Sequence, residues 1–217
     1  MKILSVKSLD IPEVKVIRFA RFCDHRGYFT EQFRASDLFK CEELPSLNDA
    51  SFVQANHSYS KKGVIRGLHF QWNPYMGKLV RTLSGHMVDL VADIRKNSPT
   101  YGKIIAYDMP ANEERDYDEW IWVPPGFAHG NFFKENSTIE YFCTGEYSPG
   151  CEAGVSPLAK DLDWSLCDLE IKKEFENLKE SFIISDKDKD AMSLKEWEED
   201  ERSNNFIYED LKNKRLC

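Results

Sequence analysis

The sequence predicts one mainly β domain, a sandwich or a barrel, followed by a charged and partly helical segment. From about residue 14 to 147, short strand-like runs alternate with turn residues, and neither a long helical period nor an internal repeat interrupts them. A chain of 217 residues is long enough to bury one sizeable core. We place the β domain at residues 1–169 and the charged segment, packed on the same domain, at residues 170–217.

The clearest pair of predicted strands covers residues 79–83 and 87–94, joined by the turn residues 84–86. We expect these two strands to form a hairpin. In the second strand, alternate residues from Val88 to Ile94 form an apolar face, and Asp89 and Asp93 lie on the opposite face. One face of this strand should therefore pack in the core while the other offers carboxylates.

Helices are expected at only a few places, and all are short. One is predicted at residues 37–43, one around residues 171–178, and one beginning at Ser193. Ser193 and Glu196 have the spacing of a capping box, in which the serine and glutamate side chains each accept a backbone N–H bond. This pair supports the start of the last helix.

Composition excludes several classes of function. The net charge of −8 argues against a nucleic-acid-binding protein, which needs a basic face for the phosphates. The six cysteines show no C-x-x-C spacing, so reduced thiols are expected rather than a zinc knuckle or a dithiol redox site. The sequence contains neither a signal peptide nor eighteen consecutive apolar residues, and we expect a cytoplasmic protein without a membrane segment.

The most informative segment is VIRGLHFQ, residues 64–71, because Arg66 and His69 interrupt a strand-like apolar run. A second histidine, His129, closes another apolar run at residues 124–130, which suggests one shared pocket. Strand alternation would put Arg66 and His69 on opposite faces, unless Gly67 forms a bulge. We predict that bulge. A histidine on a strand is otherwise most often a hydrogen-bonded core residue.

The residue types suggest proton transfer on an anionic ligand. His69 can act as a general base near neutral pH, and Tyr141 can present a phenol from the strand at residues 139–144. By itself Tyr141 would more often be an ordinary cross-strand aromatic. Four cationic residues together suit a diphosphate, and they are Arg26, Arg66, Lys78 and Lys187. Each one alone would more often be a solvated surface charge.

Metal binding is the main alternative chemistry, because small β-barrels often hold iron, manganese or zinc on histidines. The position two residues after His69 is Gln71 rather than a second histidine, and no glutamate follows at a matching strand position. The sequence therefore favours a site without a metal.

Taken together, seven segments resemble the dTDP-4-dehydrorhamnose 3,5-epimerase family, which are cupin enzymes of nucleotide-sugar metabolism. The segments, spread over most of the chain, are DHRGYFTE (24–31), FVQANHS (52–58), RGLHFQ (66–71), KLVR (78–81), DIRKNSPTYG (93–102), PGFAHG (125–130) and SDKD (185–188). The resemblance implies a cupin jelly-roll with a few short helices. It also implies an epimerase that inverts C3, C5 or both in a nucleotide-linked 4-keto-6-deoxy sugar used for surface polysaccharides.

The resemblance also assigns roles to residues. His69 is the expected general base, Asp188 orients its imidazole, and Tyr141 is the proton donor. For the enolate oxygen we add Lys78 as the candidate donor, because such an oxygen needs a pre-oriented positive group. The expected substrate-binding residues are Arg26, Glu31, Gln54, Asn56, Arg66, His129, Glu152 and Lys187.

The same resemblance implies a homodimer with exchanged N-terminal strands, in which Arg26 and Glu31 complete the neighbour's site. It implies neither a metal nor an organic cofactor. The loop before Lys78 and the long tail, residues 193–217, depart from the family pattern. Both dTDP- and GDP-linked hexoses or heptoses therefore stay open as substrates. The other functions considered are a 3,4-ketoisomerase, a metal-dependent cupin oxygenase and a sugar-nucleotide-binding module without activity.

Overall fold

Two antiparallel β-sheets lie face to face in the computed structural model of the chain, which describes residues 1–48 and 50–213. One sheet has the order β1-β2-β9-β6-β11-β4, with β3 paired to β2, and the other has the order β12-β5-β10-β7-β8. The predicted mainly β jelly-roll is confirmed. The strands are β1 (Ile3–Ser8), β2 (Lys15–Asp24), β3 (Gly27–Thr30), β4 (Gln54–Ser60), β5 (Ile65–Gln71), β6 (Lys78–Ser84), β7 (His86–Asp93), β8 (Ile104–Pro110), β9 (Tyr117–Val123), β10 (Phe127–Phe133), β11 (Ser137–Cys143) and β12 (Glu152–Gly154).

The helices are short and lie outside the two sheets. They are α1 (Ala35–Leu38), α2 (Leu169–Leu178), α3 (Asp186–Lys189), α4 (Leu194–Glu199) and α5 (Tyr208–Asn213), with 3-10 turns at Pro45–Leu47, Trp164–Leu166 and Glu201–Asn205. Within the described residues, no helix is long and apolar enough to cross a membrane.

Three apolar clusters hold the two sheets together and cover their outer faces. The first lies between the sheets and joins residues such as Val80 and Ile121 to Val91 and Phe133. The second lies on the outer face of the seven-stranded sheet, where residues around α1 and the first 3-10 turn cover Trp120 and Trp122. Burial of large aromatic rings is the main favourable term here, because apolar area removed from water dominates folding energetics.

The third cluster lies on the outer face of the five-stranded sheet and contains residues from both sides of the predicted boundary at residue 169. Leu90 and Phe132 of the sheet pack with Phe175, Trp197 and Phe206 of the C-terminal segment. Both faces of β7 are therefore buried, and its two carboxylates, Asp89 and Asp93, are fully enclosed. Residues 214–217, including Cys217, lie outside the described residues, and the five other cysteines are free thiols.

Two local predictions are wrong. The strands predicted as a hairpin exist as β6 and β7, but they belong to different sheets, because the chain crosses from one sheet to the other at Gly85. The helix predicted at residues 37–43 ends at Leu38 as α1. Instead of continuing, the chain makes successive turns, so that Leu38, Leu44 and Leu47 can all bury their side chains on the sheet.

Two predicted helices are confirmed. The helix around residues 171–178 is α2, and the helix predicted from Ser193 is α4. Both side-chain bonds of the capping box between Ser193 and Glu196 are present. Local signals of this kind do not depend on which strands become neighbours, and this is why they were readable from the sequence.

Candidate active site

Two adjoining cavities of about 280 and 260 Å³ lie between the sheets, and several side chains line both. The shared residues come from β5, β6, β10 and β11, so each sheet supplies part of the wall. They are His69, Lys78, His129 and Tyr141. The cavities together are large enough for a ligand rather than for a few waters alone.

The bulge predicted at Gly67 is present, and it is what brings Arg66 and His69 to one cavity. His69 pairs with His129 and Arg66 pairs with Asn131, so two residues of β5 lie opposite one residue of β10. Gly67 has a φ of +108°, and a Cβ there would lie 2.5 Å from the Cα of Gly130. Only glycine fits this left-handed position at such a close approach of strands.

Asp188 reaches the site because the C-terminal segment runs along the outer edge of β5. Ile183 exchanges backbone hydrogen bonds with Gly63 and Ile65, and Ser185 then caps the four-residue helix α3. This places Asp188 beneath the bulge, where one carboxylate oxygen accepts a hydrogen bond from the Gly67 amide at 3.2 Å.

The other oxygen of Asp188 lies 2.7 Å from Nε2 of His69. Burial would raise the pKa of Asp188, but the hydrogen bond and charge of His69 and the bonds from Gly67 and Ser185 outweigh it and lower the pKa. Asp188 therefore stays a carboxylate at neutral pH. Its bond leaves Nδ1 of His69 as the ring nitrogen without a hydrogen-bond partner among the described residues.

Tyr141 and Lys78 approach the cavities from the seven-stranded sheet, opposite His69. Burial raises the pKa of Tyr141, and the neighbouring Cys143 adds to the effect while Arg66 opposes it. Burial of the ammonium group lowers the pKa of Lys78, although Cys143, Asp89 and Glu152 partly offset the shift. A neutral phenol and an ammonium that gives up its proton readily are both suited to proton donation.

A second histidine–carboxylate pair lies beside the first. Nε2 of His129 is 2.8 Å from Oδ2 of Asp89, and both residues are buried. The other oxygen, Oδ1 of Asp89, and Oδ1 of the adjacent Asn131 have no hydrogen-bond partner among the described residues. The sequence pointed to a carboxylate face on β7, but it did not indicate that Asp89 would meet His129.

The remaining predicted binding residues differ in how directly they reach the cavities. Gln54, Asn56 and Glu152 line the first cavity, and Arg66 lines the second. Lys187 is bonded to Glu152 at 3.0 Å at the rim. Neither Arg66 nor Lys78 has a carboxylate within ion-pair distance in the described part of the chain, so both positive charges are available to an anionic ligand.

Arg26 and Glu31, like Lys187, are not among the residues that line these cavities. Arg26 lies at the tip of the β2–β3 hairpin, with its side chain 78% exposed and paired only with Asp24 among the described residues. Glu31 pairs with Arg34 and the N-terminal amine. Within one chain, neither lines the cavity walls described above.

The sequence reasoning also missed several cavity-lining residues as site residues, among them Gln71, Met76, Cys143 and Tyr147. Gln71 ties together the loops on both sides of the opening, since its amide bonds to Pro74, Glu146 and Ser148. Tyr147 is a half-exposed ring at the opening, and Met76 and Cys143 line the wall. Met76, Cys143 and Tyr147 carry no spacing or charge signal that would distinguish them from ordinary loop and strand residues.

The described residues contain no group of three or more histidine, cysteine, aspartate or glutamate side chains arranged to hold a metal ion. At the position where a second histidine would be expected, the amide of Gln71 is used entirely in holding the loops.

Comparison with known proteins gives consistent results. The family model described as dTDP-4-dehydrorhamnose 3,5-epimerase matches residues 8–196. The dTDP-4-dehydrorhamnose 3,5-epimerase of Shigella flexneri is 38% identical over 165 residues, which are 74% of this chain and 87% of that protein. The protein of the same name from Methanothermobacter thermautotrophicus is 35% identical over 178 residues, 81% of this chain and 86% of its own length.

Solved structures agree with the sequence matches. The dTDP-6-deoxy-D-glucose-3,5-epimerase of Legionella pneumophila, crystallised with dTDP-4-keto-L-rhamnose, superposes with a TM-score of 0.72 at 34% identity, covering 88% of this chain and 93% of that one. A Mycobacterium tuberculosis epimerase superposes with a TM-score of 0.76 at 28% identity, covering 98% of both chains.

Proposed function

The chain belongs to the dTDP-4-dehydrorhamnose 3,5-epimerase family, and we propose that it inverts C3, C5 or both in a dTDP-linked 4-keto-6-deoxy hexose. One observation carries the proposal. A histidine of one sheet, paired with a carboxylate of α3, and a tyrosine of the other sheet line the second cavity, beside two cations without a carboxylate partner in the described chain. This arrangement suits proton removal and return on opposite faces of an anionic sugar nucleotide.

The first step is proton removal. The C4 carbonyl of the sugar acidifies the C–H bonds at C3 and C5, and Nδ1 of His69 accepts the proton while the bonding electrons move into an enolate. Asp188 fixes the imidazole tautomer and stabilises the imidazolium that forms. Lys78 donates to the enolate oxygen, where negative charge develops.

The second step is proton return from the other side. Tyr141 projects from β11 of the seven-stranded sheet, whereas His69 projects from β5 of the five-stranded sheet. When the phenol protonates carbon, the electrons of the enolate form the new C–H bond on the opposite ring face, and the carbonyl is restored. Solvent then reprotonates the phenolate and takes the proton from His69, so each inverted carbon carries one hydrogen from solvent.

The base of the nucleotide would stack on the half-exposed ring of Tyr147 at the opening of the first cavity, and Arg66 in the adjoining second cavity offers a positive charge to the anionic substrate. We propose thymidine as the nucleoside because the relatives that match the chain are named for dTDP sugars. Calorimetric titration with dTDP, GDP, UDP and CDP tests this choice, and tight binding of GDP alone would overturn it.

The reaction itself is tested by deuterium exchange. Incubation of dTDP-4-keto-6-deoxyglucose in D₂O should give deuterium at C3, C5 or both, with the inverted configuration visible in proton coupling constants. Tyr141→Phe should still exchange but should lose inversion by about 10²-fold or more, because the second acid is removed while the base remains. A product with the carbonyl moved from C4 to C3 would identify a ketoisomerase instead.

We also propose that the protein is a homodimer in which the β2–β3 hairpin completes the partner's site with Arg26 and Glu31. The hairpin carries two exposed, stacked rings, Phe22 and Phe29, at 51% and 67% exposure. Apolar rings of this size usually mark an interface when they are exposed together. In addition, β4 has its far side unpaired within the described residues, so a strand can be added there.

A complementation experiment tests the dimer. Arg26→Ala and His69→Asn should each be nearly inactive, but co-expressed chains should regain activity, because a mixed dimer contains one site with both native residues. A monomer by light scattering, or mixed chains as inactive as the separate variants, would contradict the exchange.

A further inference from the structure

The chain beyond residue 196, where the family match ends, contacts the loop that borders the first cavity. Residues 204–208, here called the tail segment, are fixed to Lys96, whose amide donates to Phe206 and whose carbonyl accepts from Tyr208. The side-chain ammonium of Lys96 also donates to Asn204 at 3.0 Å. The tail segment is therefore held in one place at Lys96, just beyond the C-terminal end of β7.

The side chain at the centre of the tail segment, Phe206, is fully buried. Its ring packs edge-on against Trp72 and Tyr75, with centroids 6.4 and 5.9 Å apart, and against Phe70 at 5.3 Å. The hydroxyl of Tyr75 donates to the carbonyl of Asn205 at 2.6 Å. These contacts join the tail segment to residues 72–77, here called the mouth loop.

The mouth loop in turn shapes the first cavity. Met76 and Phe70 line that cavity but not the second one, which contains Arg66 and Asp188. On its other side, the mouth loop is held by Gln71 and by the bond from the Gly77 amide to Thr144. The tail segment thus supports the outer side of a loop whose inner side forms the ligand pocket.

We propose that the tail segment is a specificity-determining support, which positions Met76 against the nucleotide end of the substrate. The inference rests on the proposed function, because it assumes that the first cavity receives the nucleotide. The reacting groups do not depend on this support in the same way. His69, Lys78 and Tyr141 lie on strands that are paired on both sides, whereas Met76 lies on a loop.

The test compares two phenylalanines of the same apolar cluster. Phe206→Leu removes the ring that supports the mouth loop. Phe175→Leu removes an equally buried ring of α2 that contacts Phe132, Trp164 and Phe182 and lies away from the cavities. Both variants should lose similar thermal stability, since both replace a buried ring by a smaller side chain.

We expect Phe206→Leu to raise KM and to weaken dTDP binding by about threefold to thirtyfold, with kcat within about twofold of wild type. Phe175→Leu should leave both constants unchanged. Tyr75→Phe keeps the ring and removes only the hydroxyl bonded to Asn205, and it should raise KM about twofold to tenfold. This variant provides the same test if Phe206→Leu folds poorly.

Equal effects of Phe206→Leu and Phe175→Leu, or a fall in kcat without a change in KM or dTDP affinity, would overturn the proposal. Calorimetric titration with dTDP does not require turnover. A wild type that binds dTDP without exchanging deuterium would count against the proposed reaction, while the difference in dTDP affinity between the two variants would still decide the role of the tail segment.

Discussion

The two histidine–carboxylate pairs have nearly the same geometry and very different surroundings. His69 and His129 are direct partners across β5 and β10, and each holds a carboxylate oxygen at Nε2, at 2.7 and 2.8 Å. The side chain of His69 is 36% exposed, and its carboxylate comes from a helix 119 residues away. The side chain of His129 is only 8% exposed, and Asp89, on the adjacent strand β7, is fully buried.

This difference teaches that access, rather than pairing, distinguishes a base from a fixed binding group. A base in an epimerase must return its proton to solvent in every cycle, and of the two imidazoles His69 is the more open to solvent. His129 and its partner Asp89 are both buried, so solvent has little access to this pair. We therefore expect His69 to carry the proton transfer and His129 to position the substrate.

The largest effect should separate the two histidines. His69→Asn should slow deuterium exchange at C3 and C5 by about 10³- to 10⁴-fold, because it removes the base altogether. His129→Asn should reduce kcat/KM by only about 10- to 10²-fold, mostly through KM, since one binding contact is lost. Exchange measured by NMR in D₂O, beside steady-state kinetics, gives both numbers. If the losses were reversed, His129 would be the base.

A smaller difference should appear between the two carboxylates. Asp188→Asn should lower kcat about 10²-fold, because an amide can hold the imidazole in the wrong tautomer and does not stabilise the imidazolium. Asp89→Asn should lower kcat less than tenfold, since His129 keeps a hydrogen-bonding neighbour and transfers no proton. Pre-steady-state exchange rates on both variants provide the comparison. Equal losses in kcat would mean that both pairs take part in proton transfer.

The two pairs also differ in how far the sequence could predict them. Arg66, Gly67 and His69 lie within four consecutive residues, and the alternation rule for strands showed that a cavity shared by Arg66 and His69 would require a bulge at Gly67. The contact of His129 with Asp89 depends on β7 and β10 being neighbours in one sheet, which no local pattern indicates. The same limitation explains the wrong hairpin between β6 and β7, since strand identity is local but strand pairing is not.

The partner of His69 could not be derived from spacing at all. Asp188 lies in a four-residue helix within a charged stretch, where any of several carboxylates would look equivalent, and only the family resemblance selected it. The role of the tail segment, in contrast, could be seen only in the structure. Phe206 carries no motif, and its contact with the mouth loop became visible only when the apolar cluster was assembled in three dimensions.

The smallest expected effect is on the alkaline side of the pH profile, where the wall opposite His69 acts. Burial of its ammonium lowers the pKa of Lys78 below 10.5, whereas burial of its phenol raises the pKa of Tyr141 above 10.0. An ammonium donor is lost as pH rises through its pKa, and burial moves that loss to lower pH for Lys78 while it moves the loss of the Tyr141 phenol to higher pH. The alkaline fall of kcat/KM should therefore follow Lys78 and should amount to about tenfold per pH unit.

Two variants distinguish Lys78 from Tyr141 in that profile. Lys78→Arg keeps a positive charge at every accessible pH, so its residual activity should lose the alkaline fall or show it at higher pH. Tyr141→Phe should keep the fall unchanged when deuterium exchange is measured, because exchange requires the base and the enolate donor but not the second acid. If the alkaline fall vanished in Tyr141→Phe and persisted in Lys78→Arg, the group that titrates would be the phenol of Tyr141. The lowered pKa of Lys78 would then not set the alkaline limit of activity.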